Sequence, residues 1–327
     1  MSQTDRIPTI DLLPFISINE VDQDQNDDQL DAKKKKIKEV INQACSEYGF
    51  FQIINHGVPV GLMSRALDLS KKFFDCPDDE KLKFSPEPSA PLPAGYSRAN
   101  PLVGQYERLL MFTPNSSFKN IYPDNPPEFR EVLQEIFSHL TKTGSVIEAV
   151  LNDCLNLPQN FLHEYNLDRN WDFMVNLAYQ PATETESSGL SEHQDSNCIT
   201  FVLQDDVGGL EVLKEGKWIP VIPDKSSIIV NIGDVIQVLT NNKYKSATHR
   251  VVSQMGSRRR HSFAFFYNLQ GDKWVEPLPQ FTIDIGEEPK YRGFCYKDYQ
   301  ALRLRNKTHP PSRPEDFIDI THYDIPN

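Results

Sequence analysis

The feature that most constrains this chain is a run of strand-like sequence from His193 to Ser262. It opens with Ser191-Glu-His-Gln-Asp195 and closes with Lys245-Ser-Ala-Thr-His-Arg250 and Arg260-His-Ser262. Side chains alternate faces along an extended segment, so His193 and Asp195 project to one side while Gln194 points away. His249 lies in a second β-type run, Ser246 to Val252, and is the candidate third ligand. Two imidazoles and one carboxylate on a rigid β scaffold make the facial arrangement that suits non-haem Fe(II) and leaves coordination positions open. As a bare pattern the spacing is weak, and its context has to carry it.

That context includes Arg260 and Ser262, again two apart and therefore on one face. A guanidinium presents a planar fork that matches a carboxylate in two parallel hydrogen bonds, and a neighbouring hydroxyl adds a third. An anion clamp beside an open metal points to a cosubstrate with one carboxylate for each, and a dicarboxylic 2-oxo acid fits. The same parity places Ala264, Phe266 and Asn268 beside Arg260, and sends His261, Phe263 and Phe265 to the opposite face. His261 is therefore not read as a ligand.

A chain of 327 residues with 39% hydrophobic content can build one large β core wrapped by helices. The 34 basic and 46 acidic residues give a net charge of −12, which repels nucleic acid and anionic membranes. An anionic cosubstrate then depends on a local cation such as Arg260. The cysteines, Cys45, Cys76, Cys154, Cys198 and Cys295, form no C-x-x-C pair and are read as reduced thiols. The N-terminus lacks an apolar signal region and no apolar run reaches spanning length, so a cytoplasmic protein without a membrane partner is expected. The charge argues against a nucleic-acid partner, and a monomer is the default expectation.

Taken in order, Ile7 to Leu12 reads as a strand and Asp22 to Asp31 as a solvated acidic loop. Leu30, Ile37, Val40, Ile41, Ala44, Cys45 and Tyr48 recur at helical spacing, with Gly49 as the stop and Lys33 to Lys36 as a solvated face. Phe50 to Asn55 is a short strand, and His56, in the turn after it, is read as structural. A second helix carries Leu62, Met63, Ala66, Leu67, Phe73 and Phe74. Pro86 to Pro101 holds five prolines and one glycine, either a lid over a pocket or a plain surface loop. Tyr106 to Phe112 reads as a strand, and Pro127 starts a long helical pattern that runs to Leu155. His139 and His163 fall on helical segments and are assigned no chemistry. From Phe173 onward short strands alternate with turn signals such as Gly233-Asp234 and Asn241-Asn242.

The expected fold is mainly β with flanking helices, built on a double-stranded β-helix or jelly-roll core. One domain is expected, with a strand and helix region to about residue 125, supporting helices over 126–170, the jelly roll over 171–285, and a terminal helix and tail over 286–327.

Several stretches carry a family resemblance: Ile7-Pro-Thr-Ile-Asp-Leu12, Ala44 to Pro59, His193-Gln-Asp195, Thr200 to Leu210, Asn231-Ile-Gly-Asp234, Tyr244 to Val251 and Arg260-His-Ser262. In these the chain resembles the plant-type 2-oxoglutarate/Fe(II)-dependent dioxygenases, the group of anthocyanidin synthase, flavonol synthase and gibberellin oxidases, with isopenicillin N synthase as a relative. The resemblance implies that His193, Asp195 and His249 hold Fe(II), that 2-oxoglutarate chelates it, and that Arg260 and Ser262 take the distal carboxylate. It further implies O2 as oxidant, ascorbate as reductant, and release of succinate and CO2. A small molecule is hydroxylated, desaturated or demethylated.

On the substrate side the resemblance points to Phe266, with Asn268 just beyond it, and Phe112, at the end of the strand Tyr106 to Phe112, is a further substrate-binding candidate. It also points to Tyr296, Tyr299 and Leu302 of a terminal helix over Tyr296 to Arg305. One departure concerns Asn176-Leu-Ala-Tyr-Gln-Pro181, where relatives carry Asn-x-Tyr-Pro. Counted from His193, Asn176 matches the asparagine but Ala178 holds the tyrosine's slot. Either a bulge restores Tyr179 to the cosubstrate or the contact is lost. Two rival readings remain: an ascorbate-dependent oxidase resembling aminocyclopropane-carboxylate oxidase, and a non-catalytic ligand-binding barrel.

Overall fold

The computed structural model describes residues 6–16, 27–87, 94–99, 105–114, 116–183 and 189–326. Strand β1 (Thr9–Asp11) pairs in parallel with β2 (Phe50–Ile54). Helix α1 (Asp27–Glu47) joins them and turns Ile41, Ala44 and Cys45 into the core. It begins within the stretch expected as a solvated loop, because its first turns are polar on every side and show no apolar period. Residues 22–26 of that stretch lie outside the described residues. Gly49 ends the helix with φ +65°, and a Cβ there would sit 2.2 Å from the Lys245 carbonyl oxygen, so only glycine fits.

Helix α2 (Val60–Phe74) follows the His56 turn, and the short α3 (Asp78–Leu82) comes next. His56 has a structural place, with Nδ1 accepting from the Val58 amide and Nε2 3.2 Å from the Ser226 carbonyl. Strand β3 (Gly95–Arg98) pairs antiparallel with β4 (Tyr106–Phe112). Part of the proline-rich stretch expected as a lid or loop is therefore an edge strand, while residues 88–93, 100 and 101 fall outside the described residues. Helix α4 (Phe129–Cys154) is the long supporting helix, followed by α5 (Phe161–Tyr165).

The remaining strands are β5 (Phe173–Tyr179), β6 (Gly189–His193), β7 (Ile199–Gln204), β8 (Leu210–Lys214), β9 (Lys217–Pro220) and β10 (Ile228–Ile232). Helix α6 (Asp234–Leu239) takes the place of the turn expected at Gly233-Asp234. Strands β11 (His249–Val252) and β12 (Arg260–Tyr267) complete the core. A two-stranded ribbon of β13 (Trp274–Val275) and β14 (Phe294–Cys295) then leads into α7 (Tyr296–Thr308).

The eight-stranded sheet runs β1-β2-β10-β7-β12-β5-β4-β3 and the four-stranded sheet runs β6-β11-β8-β9. Strands distant in sequence interleave across two facing sheets, which is the jelly-roll arrangement. The larger sheet is covered on one face by α1, α2 and α4 and turns the other toward the smaller sheet. Phe129, Leu133, Ile136, Phe137, Leu140, Ile147 and Leu151 of α4 are buried, each worth about 1.5–3 kcal/mol of apolar transfer.

His261 lies in this helix-facing layer, 6.1 Å from the Phe74 ring. Burial, aided by the nearby Arg259, Lys71 and Arg260 charges, pushes its imidazole down to about 3 from the ordinary 6.5. The folded protein thus keeps His261 neutral while the unfolded chain takes up a proton below about pH 6.5. Between these limits the unfolded state binds more protons, so stability is lost as the pH is lowered. From pH 7 to pH 5 this residue is expected to remove about 2 kcal/mol of stability. Urea unfolding of wild type and His261→Leu at both pH values checks it, since the variant should show a smaller difference by that amount.

Candidate metal and cosubstrate site

The cavity floor follows from the register of five adjacent strands. Tyr106, Tyr179 and Arg260 form one row across β4, β5 and β12. The next row is Arg108, Leu177, Ser262 and Gln204, continuing onto β7. A third is Leu110, Val175, Ala264 and Val202, reaching Ile229 of β10. The last is Phe112, Phe173, Phe266, Thr200 and Asn231. Because the side-chain period is two, the members of these rows share the face that looks toward the smaller sheet. The space above this face has a volume of about 410 Å³.

At the end marked by Thr200 and Asn231, the smaller sheet brings in the two imidazoles. His193 of β6 pairs directly with His249 of β11, and their ring centroids lie 4.2 Å apart. Asp195 enters from the turn after β6. This turn is pinned by amides of the Gly233 to Val235 segment, with the Asp234 amide donating to the Asp195 carbonyl at 2.7 Å. A Cβ on Gly233 would fall 2.1 Å from the Asn197 carbonyl oxygen, so the two turns touch only because residue 233 has no side chain.

Among the described residues His193, Asp195 and His249 form a group whose candidate ligand atoms all lie within 4.8 Å of one another. His193 Nδ1 is 2.9 Å from the Ser191 carbonyl and His249 Nδ1 is 3.1 Å from the Ala247 carbonyl. A carbonyl only accepts, so both rings carry their proton on Nδ1 and present the Nε2 lone pair to the cavity. These Nε2 atoms stand 3.7 and 3.8 Å from the Asp195 carboxylate oxygens. Asp195 Oδ2 accepts from Thr200 Oγ1 at 2.7 Å and Asn231 Nδ2 at 2.9 Å, which fixes the carboxylate with Oδ1 toward His193 and Oδ2 toward His249. Burial alone would raise the carboxyl's pKa, but the charge of His249 and His193 in their protonated form, together with these donors, outweighs it and holds it well below the usual carboxylate range. An ionised carboxylate and two Nε2 lone pairs are a donor set that suits Fe(II).

At the other end, Arg260 is buried at 2% exposure. Nη1 donates to Ser262 Oγ and Nη2 to Gln204 Oε1, both at 2.9 Å, and the guanidinium lies 5.0 Å from the Tyr179 ring centre. Among the described residues it forms no ion pair, and its buried Nε has no hydrogen-bond partner. A buried cation without a counter-ion is costly, so this arrangement is completed by an incoming anion. The donor set at one end and, at the other, a buried guanidinium that feels Asp205 but forms no ion pair among the described residues both fit a metal with a dicarboxylate cosubstrate.

Each residue singled out in the sequence has a definite place. Arg260, Ser262, Tyr179, Phe112, Phe266 and Asn268 line the same cavity as the three candidate ligands. Tyr179 reaches it without a bulge, since β5 keeps unbroken register with both β4 and β12. Asn176 does not reach it. It has the opposite parity, is fully buried on the helix side and accepts from Ser70 Oγ at 2.7 Å.

Tyr296, Tyr299 and Leu302 are not among the lining residues either. Tyr296 donates to Asn268 Oδ1 and Tyr299 to Asp234 Oδ2, both from the core-facing stripe of α7. The next stripe round that helix, Lys297, Gln300, Ala301 and Leu304, lines the cavity instead. Leu302 lies on neither stripe. Arg303 fastens α7 by pairing with Asp234 at 3.4 Å and by donating to the Gln194 carbonyl.

Thr200, Gln204 and Asn231 were not singled out individually in the sequence, although two of the resembling stretches contain them. Strand parity carried across from Arg260 would have found them.

Comparison with known proteins agrees with this geometry. Residues 170–269 match the model of the 2OG-Fe(II) oxygenase superfamily, and residues 7–109 match that of the non-haem dioxygenase in morphine synthesis N-terminal family. The chain is 30% identical to a flavonol synthase/flavanone 3-hydroxylase of Arabidopsis thaliana, over 85% of this chain and 84% of that protein. It is 31% identical to feruloyl CoA ortho-hydroxylase 1 of Arabidopsis thaliana, over 95% of this chain and 84% of the relative. The crystal structure of JOX2 in complex with 2OG, Fe and JA superposes with a TM-score of 0.78 at 29% identity, covering 98% of this chain and 90% of that one. Shared sequence over nearly the whole length and a shared fold lead to one conclusion: the chain belongs to the 2OG-Fe(II) oxygenase superfamily, as a 2-oxoglutarate-dependent dioxygenase of the plant type.

Proposed function

We propose that His193, Asp195 and His249 hold Fe(II), that Arg260, Ser262 and Tyr179 bind the distal carboxylate of 2-oxoglutarate, and that a small organic molecule occupies the rest of the cavity. The observation that carries this reading is the buried Arg260, which has no acidic partner among the described residues and shares one cavity with the three ligands. Bound iron with 2-oxoglutarate supplies the O2-dependent oxidation of a C–H bond, by hydroxylation, desaturation or demethylation, with release of succinate and CO2.

The protein's part is to orient and to exclude water. Ser191 and Ala247 carbonyls fix the two imidazoles, Thr200 and Asn231 fix the carboxylate, and Val202, Leu210 and Val251 wall the site with apolar surface. Ascorbate serves as a reductant. We read residues 1–327 as one catalytic unit, a cytosolic monomer without a nucleic-acid or membrane partner. The net charge of −12 supports this reading, as does the finding that no described helix is long and apolar enough to cross a membrane.

Succinate formation that requires O2, Fe(II) and 2-oxoglutarate tests the reading. Turnover with ascorbate alone would favour the aminocyclopropane-carboxylate oxidase type, and absence of O2 uptake would favour a silent barrel. Phe266 stacks on Phe173 at 4.5 Å and faces the cavity. Phe266→Ala is expected to weaken substrate binding about two- to tenfold, an aromatic contact being worth about 0.5–1.5 kcal/mol. It should also lower the ratio of product to succinate. Once a substrate is in hand, parallel quantification of both products checks this, and an unchanged ratio would assign Phe266 to packing alone.

A further inference from the structure

Arg108 is the cavity cation that neither the ligand set nor the cosubstrate clamp uses. It shares the inward parity of β4 with Tyr106, Leu110 and Phe112, and lines the cavity. Its Nε donates to Ser97 Oγ of β3 at 2.8 Å, which fixes the plane of the guanidinium. Among the described residues Nη1 and Nη2 have no hydrogen-bond acceptor and Arg108 joins no ion pair. Asp195 is the sole acid among the described residues that line the cavity. The other cations there are differently placed: Arg260 belongs to the clamp, Arg303 is paired with Asp234, and Lys297 is exposed.

The register separates Arg108 from the clamp. It stands in line with Leu177 and Ser262, two strand spacings from the latter, or about 10 Å between Cα atoms. A cosubstrate running from Arg260 to the three ligands does not need it. Between Arg108 and the ligands lies an apolar floor of Leu110, Val175 and Ala264, flanked by the rings of Phe112, Phe173 and Phe266. An apolar trough with a cation at the end away from the ligands matches a molecule with an apolar body and an anionic end.

We propose that Arg108 docks an anionic group of the organic substrate, so that this oxygenase takes amphipathic carboxylates whose aromatic or aliphatic body lies over the trough. A planar carboxylate is the oxyanion that two parallel N–H donors match. In a chain of net charge −12 such an anion needs a local cation to be admitted at all. The inference rests on the proposed reading of the site and adds the substrate's chemical class to it.

The test uses the full chain with Mn(II) and 2-oxoglutarate under anaerobic conditions. The probes are phenylalkanoic acids of graded chain length, each matched with its primary amide. Binding is read from quenching of tryptophan fluorescence, since Trp171 lines the cavity, and from thermal shift. Wild type is expected to bind at least one acid about ten- to hundredfold tighter than its amide, the range of a charge-assisted pair. Arg108→Gln should bring each pair within about threefold, and Arg108→Lys, which keeps the charge without the fork, should fall between.

An acid preference that survives in Arg108→Gln overturns the proposal, as does a wild type that binds no acid or prefers none. Titration of 2-oxoglutarate into the same samples separates the two levels. Normal cosubstrate binding without acid preference sinks the Arg108 assignment alone, whereas failure of wild type to bind 2-oxoglutarate sinks the reading of the site beneath it.

Discussion

Asp195→Ala is expected to bring iron-dependent succinate release below detection. The carboxylate is the only anionic member of the ligand group, and it is 5% exposed and held ionised by its neighbours. Its removal leaves two neutral imidazoles with no negative charge to offset a divalent ion. Asn231 Nδ2 also loses its acceptor, at about 1–3 kcal/mol for a buried group left unsatisfied, whereas Thr200 Oγ1 keeps Asn197 Oδ1 at 3.2 Å. A graded control is Asn231→Ala, which keeps all three ligands and removes one orienting donor. Loss of such an outer partner weakens metal binding about 10- to 100-fold, and that variant should regain turnover at raised Fe(II) while Asp195→Ala should not. Metal titration followed by calorimetry, with circular dichroism to show an intact fold, separates ligand loss from unfolding. Substantial succinate release by a folded Asp195→Ala protein would remove the assigned ligand set.

Sequence periodicity reveals a strand's two faces before it reveals which face looks where. His193 with Asp195, and Arg260 with Ser262, were legible because residues two apart must share a face whatever the strand packs against. Asn176 was misplaced because its alignment was counted from His193 across residues 180–188, and a connection of adjustable length breaks such a count. Tyr179 needed no bulge to reach the cavity. It shares parity with Leu177 and Val175, and only the pairing with Arg260 on β12 shows that this parity is the inward one. Arg108 was hidden for the same reason, since β4 was recognisable as a strand while its inward face was not.

The helices repeat this lesson at a different period. In α7 the aromatic residues Tyr296 and Tyr299 drew attention, yet large rings go to the most buried stripe, where Tyr299 packs on Phe294 at 4.9 Å. The cavity is left to the neighbouring stripe of Lys297, Gln300, Ala301 and Leu304. In α6 all six residues are buried, so no apolar and polar alternation exists to announce a helix. The jelly roll itself was legible from short strands and regular turns. Its larger sheet draws four of its eight strands, β1 to β4, from the N-terminal region, and the long-range pairing of β2 with β10 has no local signal.

Arg260→Lys is expected to raise the KM for 2-oxoglutarate about 10- to 100-fold, the range of one lost charge-assisted hydrogen bond, with a much smaller change in kcat. The guanidinium uses separate nitrogens for Ser262 and Gln204 and lies over the Tyr179 ring, so its plane is set before any ligand arrives. A lysine ammonium is a compact point charge that offers no fork, and it cannot hold both partners while presenting two parallel donors to a carboxylate. Burial adds to the effect. It already pulls the Arg260 guanidinium below its ordinary range, against the opposing influence of Tyr179 and Asp205. A lysine starts from a lower value and loses part of its charge in the same surroundings. Because the clamp grips the end of the cosubstrate away from the ligand group, its loss acts on binding and spares the oxidising step, which is why KM and kcat should separate. Succinate release measured over a range of 2-oxoglutarate concentrations, with direct calorimetric binding, reads both quantities. A wild-type KM in Arg260→Lys would mean that charge alone holds the cosubstrate, and a wild-type KM in Arg260→Gln as well would mean that the distal carboxylate lies elsewhere in the cavity.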